Sequence, residues 1–256
     1  SGCVPRKTIV FAGTCDEERG GLGAKEIIKE YPDLFPELLL IGEPTSCQAG
    51  VAQKGCIWLK LSVSGKTSHG AEPWQGINAL EQGFGLLADL REELKREEHP
   101  VLGHSTLQIT MAEGGIAPNM TPDRAKFLAD IRIVPPLNEK EVLNRLECLM
   151  QKRCEVYNGG LAFVPEITNY RMPVETGPEN QWLHRLKGFI GDDAGETGIN
   201  YFTDASILLT AWPDSPALLF GPGEPQMCHK PNEYVEISKY LEAIRVMEKF
   251  CWYIAK

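Results

Sequence analysis

The chain lacks several features that would decide its class at once. Apolar runs such as ELLLIG and ALLFG are far too short to span a bilayer. No two cysteines stand as C-x-x-C, which excludes a zinc ribbon or a thioredoxin-like motif. The eight cysteines (Cys3, Cys15, Cys47, Cys56, Cys148, Cys154, Cys228, Cys251) are scattered, far below the density of disulfide-stapled scaffolds. They are expected to be reduced thiols of a cytoplasmic protein. Basic charge is in short supply. Lys and Arg number 26 against 35 Asp and Glu, leaving a net charge of -9 and a pI near 5.2. That balance argues against nucleic acid or an anionic membrane as the main partner. No signal peptide, internal repeat or low-complexity linker is visible. The chain opens SGCVPRK without an initiator Met, as a processed product or a fragment does. Its 256 residues, 43% hydrophobic and 24% charged, suffice for one large domain or two smaller ones.

The most informative stretch is Thr14–Ala24, TCDEERGGLGA. Asp16, Glu17 and Glu18 follow the β-rich run Thr8–Gly13, and a glycine-rich turn and a helical pattern come next. At the end of a strand, adjacent carboxylates crowd negative charge where an α/β fold opens its crevice. Such crowding is unfavourable unless a cation or a proton neutralises it. A divalent cation satisfies this, with one carboxylate as ligand and its neighbour free as a base. The alternative is a solvated acidic turn opening a helix, where the helix dipole welcomes acidic residues.

Thr8–Gly13 is expected as a buried strand, Ala24–Tyr31 as a helix stopped by Pro32 and Pro36, and Glu37–Gly42 as a second buried strand ending at Glu43. This βαβ order predicts a mostly parallel sheet bringing Glu17, Glu18 and Glu43 to one edge. From Gly55 to Glu166 the pattern changes. Ile57, Leu59, Leu61 and Val63 alternate with polar or exposed positions, and Asn78–Glu97 has helical periodicity. Strands follow at Thr106–Ala112 and Lys126–Ile133, then a helix at Glu139–Val156 and a strand at Leu161–Pro165. The order β-α-β-β-α-β predicts an inserted ferredoxin-like α+β domain of roughly 110 residues. The expected division is 1–54 with 167–256, catalytic, and 55–166, a lid or dimerisation domain. After Tyr170, Gln181–Ile190 is expected as a helix, Tyr201–Thr210 as a turn leading into an apolar segment, and Ala217–Phe220 as a short strand. Ile237, Leu241, Ile244, Met247, Cys251 and Ile254 mark a closing amphipathic helix.

Six segments occur in an order that resembles one family: DEERGGLGA, IGEPT, GKTSHGAEPWQGINAL, GGIAPNMTPDRAKFLADIR, FTDA and FGPGEPQMCHKPNEYVE. It is the di-zinc family of acetylornithine deacetylase, succinyl-diaminopimelate desuccinylase, aminoacylase and carboxypeptidase G2. The resemblance implies that Glu17 is the general base. Glu18 and His229 would bind one zinc and Glu43 the other, with cobalt or manganese as alternatives. His69 would stabilise the oxyanion, commonly in the partner subunit's site. Asn119 and Arg132 would contact the substrate, and Gly221 and Gly223 would shape the loop presenting His229. Thr203–Asp204 matches a recurring family dipeptide and is assigned no chemistry. The implied reaction is hydrolysis of an N-acyl amide on an amino acid, as in acetylornithine deacetylase, by a homodimer joined through the lid. The implied partner is a small N-acyl amino acid or a short peptide. A di- or tripeptidase or an aminoacylase is the alternative within this chemistry. A non-catalytic binding or dimerisation remnant is the alternative outside it.

The sequence departs from the family at its start. The family's catalytic domain begins about 100 residues earlier, judged against usual domain lengths. That part carries an H-x-D histidine and the aspartate that bridges the metals, and neither has a counterpart here. A catalytic zinc ordinarily has three protein ligands. The expectation is therefore a catalytic domain incomplete at its N-terminus, with weak or no zinc binding and little or no activity. The remaining histidines, His99, His104 and His184, are assigned to the surface or to local hydrogen bonds, and Cys228 to inert packing.

Overall fold

The structure, a computed structural model, describes residues 7–191 and 194–255. Cys3 lies outside them. In chain order the elements are α1 (Leu22–Glu30), β1 (Leu39–Ile41), β2 (Ala49–Gln53), β3 (Gly55–Ser64), α2 (Ala79–Glu93), β4 (Glu98–His99), β5 (Gly103–His104), β6 (Thr106–Gly114), β7 (Arg124–Ile133), α3 (Glu139–Val156), β8 (Ala162–Arg171), β9 (Val174–Glu175), α4 (Gln181–Ile190), β10 (Glu196–Ile199), α5 (Ala205–Ala211), β11 (Ala217–Leu219) and α6 (Ile237–Ala255). They form two compact units, divided after Gln53 and after Pro173. No helix among the described residues is long and apolar enough to cross a membrane.

In the first unit, which holds both chain ends, the strands run in the order β1–β11–β2–β10, with β9 also on β2. β1 and β11 are parallel, as are β2 and β10, whereas β2 runs antiparallel to β11 and β9. Parallel strands need a crossover, and the chain supplies long ones. α1 and α5 pack together through Ala24, Ile207, Leu208 and Trp212, with Ile27 and Ile28 against them. This contact seats the acidic turn that precedes α1.

Several expectations are corrected here. Residues 8–13 form no strand; Phe11 is 95% exposed, and no described strand pairs with the segment. Valine and isoleucine favour strands by fitting a paired, half-buried surface, so β-rich composition without a ladder partner makes no strand. The 37–42 strand shortens to β1 and is only half-buried. The apolar part of 201–210 is helical, as α5. In α6 the buried residues are Ala243, Val246, Phe250 and Ala255, whereas Ile237, Leu241 and Ile244 are exposed. Phe189 of α4 meets Phe250 edge-on at 6.2 Å and so selects that face. The helix is apolar over a wide arc, and periodicity alone does not choose between adjacent stripes.

In the second unit the sheet order is β6–β7–β3–β8, every neighbouring pair antiparallel. With α2 and α3 on one face this is the ferredoxin-like arrangement. The alternation is strict. Ile57, Leu59, Leu61 and Val63 of β3 and Ala125, Phe127, Ala129, Ile131 and Ile133 of β7 point into one core, against Leu86, Leu87 and Leu90 of α2 and Val142 and Leu146 of α3. Asn78 caps α2 by accepting from the N–H groups of Leu80 and Glu81. Asn138 and Glu141 form a capping box at α3. The helix expected to run to Glu97 ends at Glu93, and the β4–β5 hairpin follows. Pro100 cannot continue a helix, and Gly103 adopts a positive φ of 67°. His99 is buried there, its Nδ1 accepting from Val101 and Leu102, and His104 Nδ1 meets the Glu97 carbonyl.

Candidate metal and catalytic site

In the first unit the parallel strands β1 and β11 end side by side, with Ile41 opposite Leu219. Glu43 follows the one, and the loop to His229 follows the other. The two segments are stitched together. The Gly221 carbonyl accepts from Thr45 and Cys47, and Ser46 N–H donates to the Gly223 carbonyl at 2.8 Å. A Cβ at Gly221 would stand 2.5 Å from the Glu43 carbonyl oxygen, so only glycine permits this approach. Further along the loop, Glu224 is held by Ser46 Oγ at 2.7 Å and by the Lys239 ammonium of α6. These contacts present His229, itself in the left-handed region at φ 60°.

The acidic turn is organised around Asp16, at φ 63°, whose carbonyl accepts from the N–H groups of Arg19, Gly20 and Gly21. Gly21 packs against α5, where a Cβ would meet Ile207 Cδ1 at 2.2 Å. Glu18 Oε1 lies 3.4 Å from His229 Nε2. Burial pushes the Glu43 carboxyl up to about 7, and the negative charges of Glu17, Asp204 and Glu18 add to the effect. The structure thus brings Glu17, Glu18, Glu43 and His229 into one neighbourhood although residues 8–13 form no strand.

Two further residues join this neighbourhood, Asp204, to which the sequence assigns no chemistry, and Tyr201, which it does not single out. Asp204 is 7% exposed, and its Oδ1 has no hydrogen-bond partner among the described residues. The neighbouring Thr203 hydroxyl is bonded to the buried Gln53 at 2.5 Å. Tyr201 directs its hydroxyl at Glu43 Oε2 (3.5 Å) and Cys228 Sγ (3.7 Å). Burial, with Cys228 and Glu43 beside it, holds this phenol protonated far above its ordinary range. The FTDA match carries a signal for Asp204, and Tyr201 directly precedes that segment.

The donor set suits zinc in kind: carboxylate oxygens and an imidazole. A buried carboxylate oxygen without a hydrogen-bond partner among the described residues, in the neighbourhood of Glu43, is what a cation would relieve. The set is short in number, because no group of three His, Cys, Asp or Glu among the described residues is placed to hold a metal. A cavity of about 430 Å³ lies along α6 beside Phe220, Tyr240, Ile244 and Met247, and none of these carboxylates lines it.

The other predicted residues lie in the second unit. Residues 69 and 120 form an antiparallel bridge, and Gly70 N–H donates to the Asn119 carbonyl at 2.7 Å. His69 and Asn119 are therefore neighbours, and both are exposed. Ala71 N–H donates to His69 Nδ1 at 3.1 Å, which leaves the proton of the neutral ring on Nε2, facing outward as a donor. Arg132 is not brought to them. The β3–β7 register pairs it with Cys56, at the far end of the ladder from Ser64 and Arg124. Eight strand positions at the usual rise make roughly 25 Å. Its guanidinium is engaged bidentately by Asp130, at 2.6 and 2.9 Å.

This geometry defines an α/β protein whose sheet edge gathers acidic and imidazole donors, joined to a ferredoxin-like unit. Residues 51–158 match the family model of the M20 peptidase dimerisation domain. Over 97% of its length the chain is 29% identical to acetylornithine deacetylase of Shigella sonnei, and it spans 66% of that relative. Among solved structures, aminopeptidase PepT of Bacillus cereus superposes with a TM-score of 0.75 at 18% identity, over 95% of this chain and 63% of its own. A tripeptidase of Staphylococcus aureus gives 0.70 at 19% identity, over 94% of this chain and 63% of its own. At those identities the structures show the fold alone. The chain is thus similar to acetylornithine deacetylase along nearly all of its length and contains, at residues 51–158, a segment that matches the M20 peptidase dimerisation domain.

Proposed function

We propose that this chain serves a metal-dependent hydrolase that cleaves an N-acyl amide bond on an amino acid. The observation that carries the reading is the convergence of Glu17, Glu18, Glu43 and His229 at one sheet edge, with Glu43 pushed up to about 7 by burial and by its acidic neighbours. Glu18 and His229 would hold one metal and Glu43 the other. Bound zinc supplies Lewis acidity, polarising an amide carbonyl and acidifying water. Glu17 takes a proton from water and returns it to the leaving amine. His69, with its donor on Nε2, suits a developing oxyanion. Asn119 and Arg132 are assigned to the substrate's polar and carboxylate ends, and Arg132 would first have to exchange its Asp130 partner. The similarity to acetylornithine deacetylase supports an acetylated amino acid as substrate, and the dimerisation domain supports a homodimer. The free cysteines among the described residues support a cytoplasmic setting.

One experiment tests this reading. The purified protein, loaded with zinc, cobalt or manganese, is incubated with N-acetyl amino acids, dipeptides and tripeptides, and release of free amine is followed. Release from N-acetyl amino acids that a chelator abolishes supports the proposal. Release only from peptides moves the assignment to a peptidase, the activity named for the two structural neighbours. A second reading is a non-catalytic binding or dimerisation protein. It is favoured by the absence of a three-donor cluster among the described residues, and it predicts neither release nor retained metal.

A further inference from the structure

Asp204 stands at the N-cap of α5, where an aspartate ordinarily accepts from the first N–H groups of its helix. Its side chain makes no such cap. Its backbone carbonyl accepts from Ile207 and Leu208, and the Thr203 hydroxyl takes the Ala205 N–H at 3.1 Å. The carboxylate is directed instead at the acidic turn. Oδ1 lies 3.3 Å from the point that a Cβ on Gly21 would occupy. The mount is fixed on both sides: the buried Gln53 accepts from Thr203 and donates to Ser206 Oγ at 2.7 Å. Asp204 is 7% exposed, and Oδ1 has no hydrogen-bond donor among the described residues. A buried acceptor that forgoes its cap and keeps an open oxygen calls for a donor from outside. Charge narrows what that donor is. Among the groups that act on Glu43 through their charge, Glu17, Asp204 and Glu18 are all negative. A protonated amine donates hydrogen bonds and brings positive charge, whereas a carboxylate or an acetyl oxygen does neither.

We propose that Asp204 is a specificity-determining residue that receives a cationic amine of the substrate, so that the chain selects acylated amino acids bearing a second, protonated amine over neutral ones of the same length. This rests on the proposed function, which brings the substrate to this sheet edge. A hydrogen bond to a charged group away from water is worth about 10–100-fold in affinity.

The test measures binding by calorimetry in chelator, so that no metal ion competes for the carboxylates. The probes are Nα-acetyl-lysine and Nα-acetyl-norleucine, which differ only in the terminal amine. In the unmodified chain the lysine derivative is expected to bind about tenfold or more tightly. Asp204→Asn keeps the shape and removes the charge. It is expected to abolish the preference, to leave the norleucine derivative's affinity unchanged, and not to lower the melting temperature. Equal affinity for the two probes, or no binding of either, overturns the proposal. So does a preference that survives Asp204→Asn. A preference that disappears when the unmodified chain is loaded with zinc gives the open oxygen to the metal and overturns it too. Should Asp204→Asn not fold, magnetic resonance of the unmodified chain decides. The Ile207 δ-methyl flanks the same Gly21 position as Asp204 Oδ1. A nuclear Overhauser contact from it to the lysine ε-methylene supports the proposal, and its absence overturns it. An Asp204-dependent preference without amine release from either probe under any metal refutes the proposed reaction and keeps the amine site. Amine release without the preference does the reverse.

Discussion

Glu18 and His229 meet at 3.4 Å, Oε1 to Nε2, although one precedes the first helix and the other lies just ahead of the last. Both side chains are exposed, so the contact itself adds little stability. Under the proposed function the two are a pair of metal donors. His229→Ala is expected to lower metal affinity by more than about tenfold, since even an outer partner of a ligand is worth that much. Zinc per chain, by elemental analysis after dialysis against trace zinc, checks this. Unchanged zinc would remove His229 from the ligand set.

Glu17→Ala is expected to separate chemistry from binding. A positioned general base contributes about 10²–10⁴ in rate. In the chain, or in any longer form of it that turns substrate over, the variant should lose activity by that order and keep its zinc. Appreciable residual activity would assign the base elsewhere.

Glu43 imposes a pH signature on the metal-free protein. Its carboxyl is held at about 7 when folded, against the ordinary 4.5 of an unfolded chain. Between those values the folded state binds more protons, so stability falls as pH rises. The contribution of the neutral carboxyl is complete below about 4.5 and is lost as pH passes 7. Melting temperatures in chelator, compared between the parent and Glu43→Gln, should differ with this slope. Metal competes with the proton, so zinc affinity should rise through the same window. Identical pH profiles for the two proteins would contradict the burial of Glu43 among its acidic neighbours.

Gly83 illustrates packing against propensity. Alanine favours a helix over glycine by about 1 kcal/mol. Yet a Cβ at Gly83 would stand 2.1 Å from Phe127 Cε2, a fully buried ring already set edge-on against Phe84 at 5.0 Å. Overpacking a filled core costs about 1–3 kcal/mol. Gly83→Ala is therefore expected to destabilise the second unit in urea unfolding. A stabilised variant would mean that Phe127 has room to move.

The second unit was the more legible. Alternation along Ile57–Val63 and the helical stripe of Val142 and Leu146 carry direct physical information, because one covered face imposes a period of 2 or 3.6. Asn78, Asn138 and Asn180 sit where caps are needed, each bonding N–H groups of its helix's first turn. The acidic turn was legible for a similarly local reason, since crowded carboxylates call for a cation or a proton, whereas the glycines of the His229 loop were read only through the resemblance to the family.

Burial by distant partners was not legible. Residues 8–13 have strand composition and no strand, and α6 buries the stripe next to the one its periodicity favoured. Tyr201 and Asp204 acquire their meaning only when α5 is laid against α1 and the Cys228 loop is folded back over Glu43. The sequence by itself determined local periods, caps, turns and the supply of acidic and imidazole donors, all of which depend on neighbours a few residues away. Tertiary structure alone decided which apolar face is covered, which carboxylate loses its water and which hydroxyl faces it, because desolvation and hydrogen bonding depend on atoms that only folding brings together.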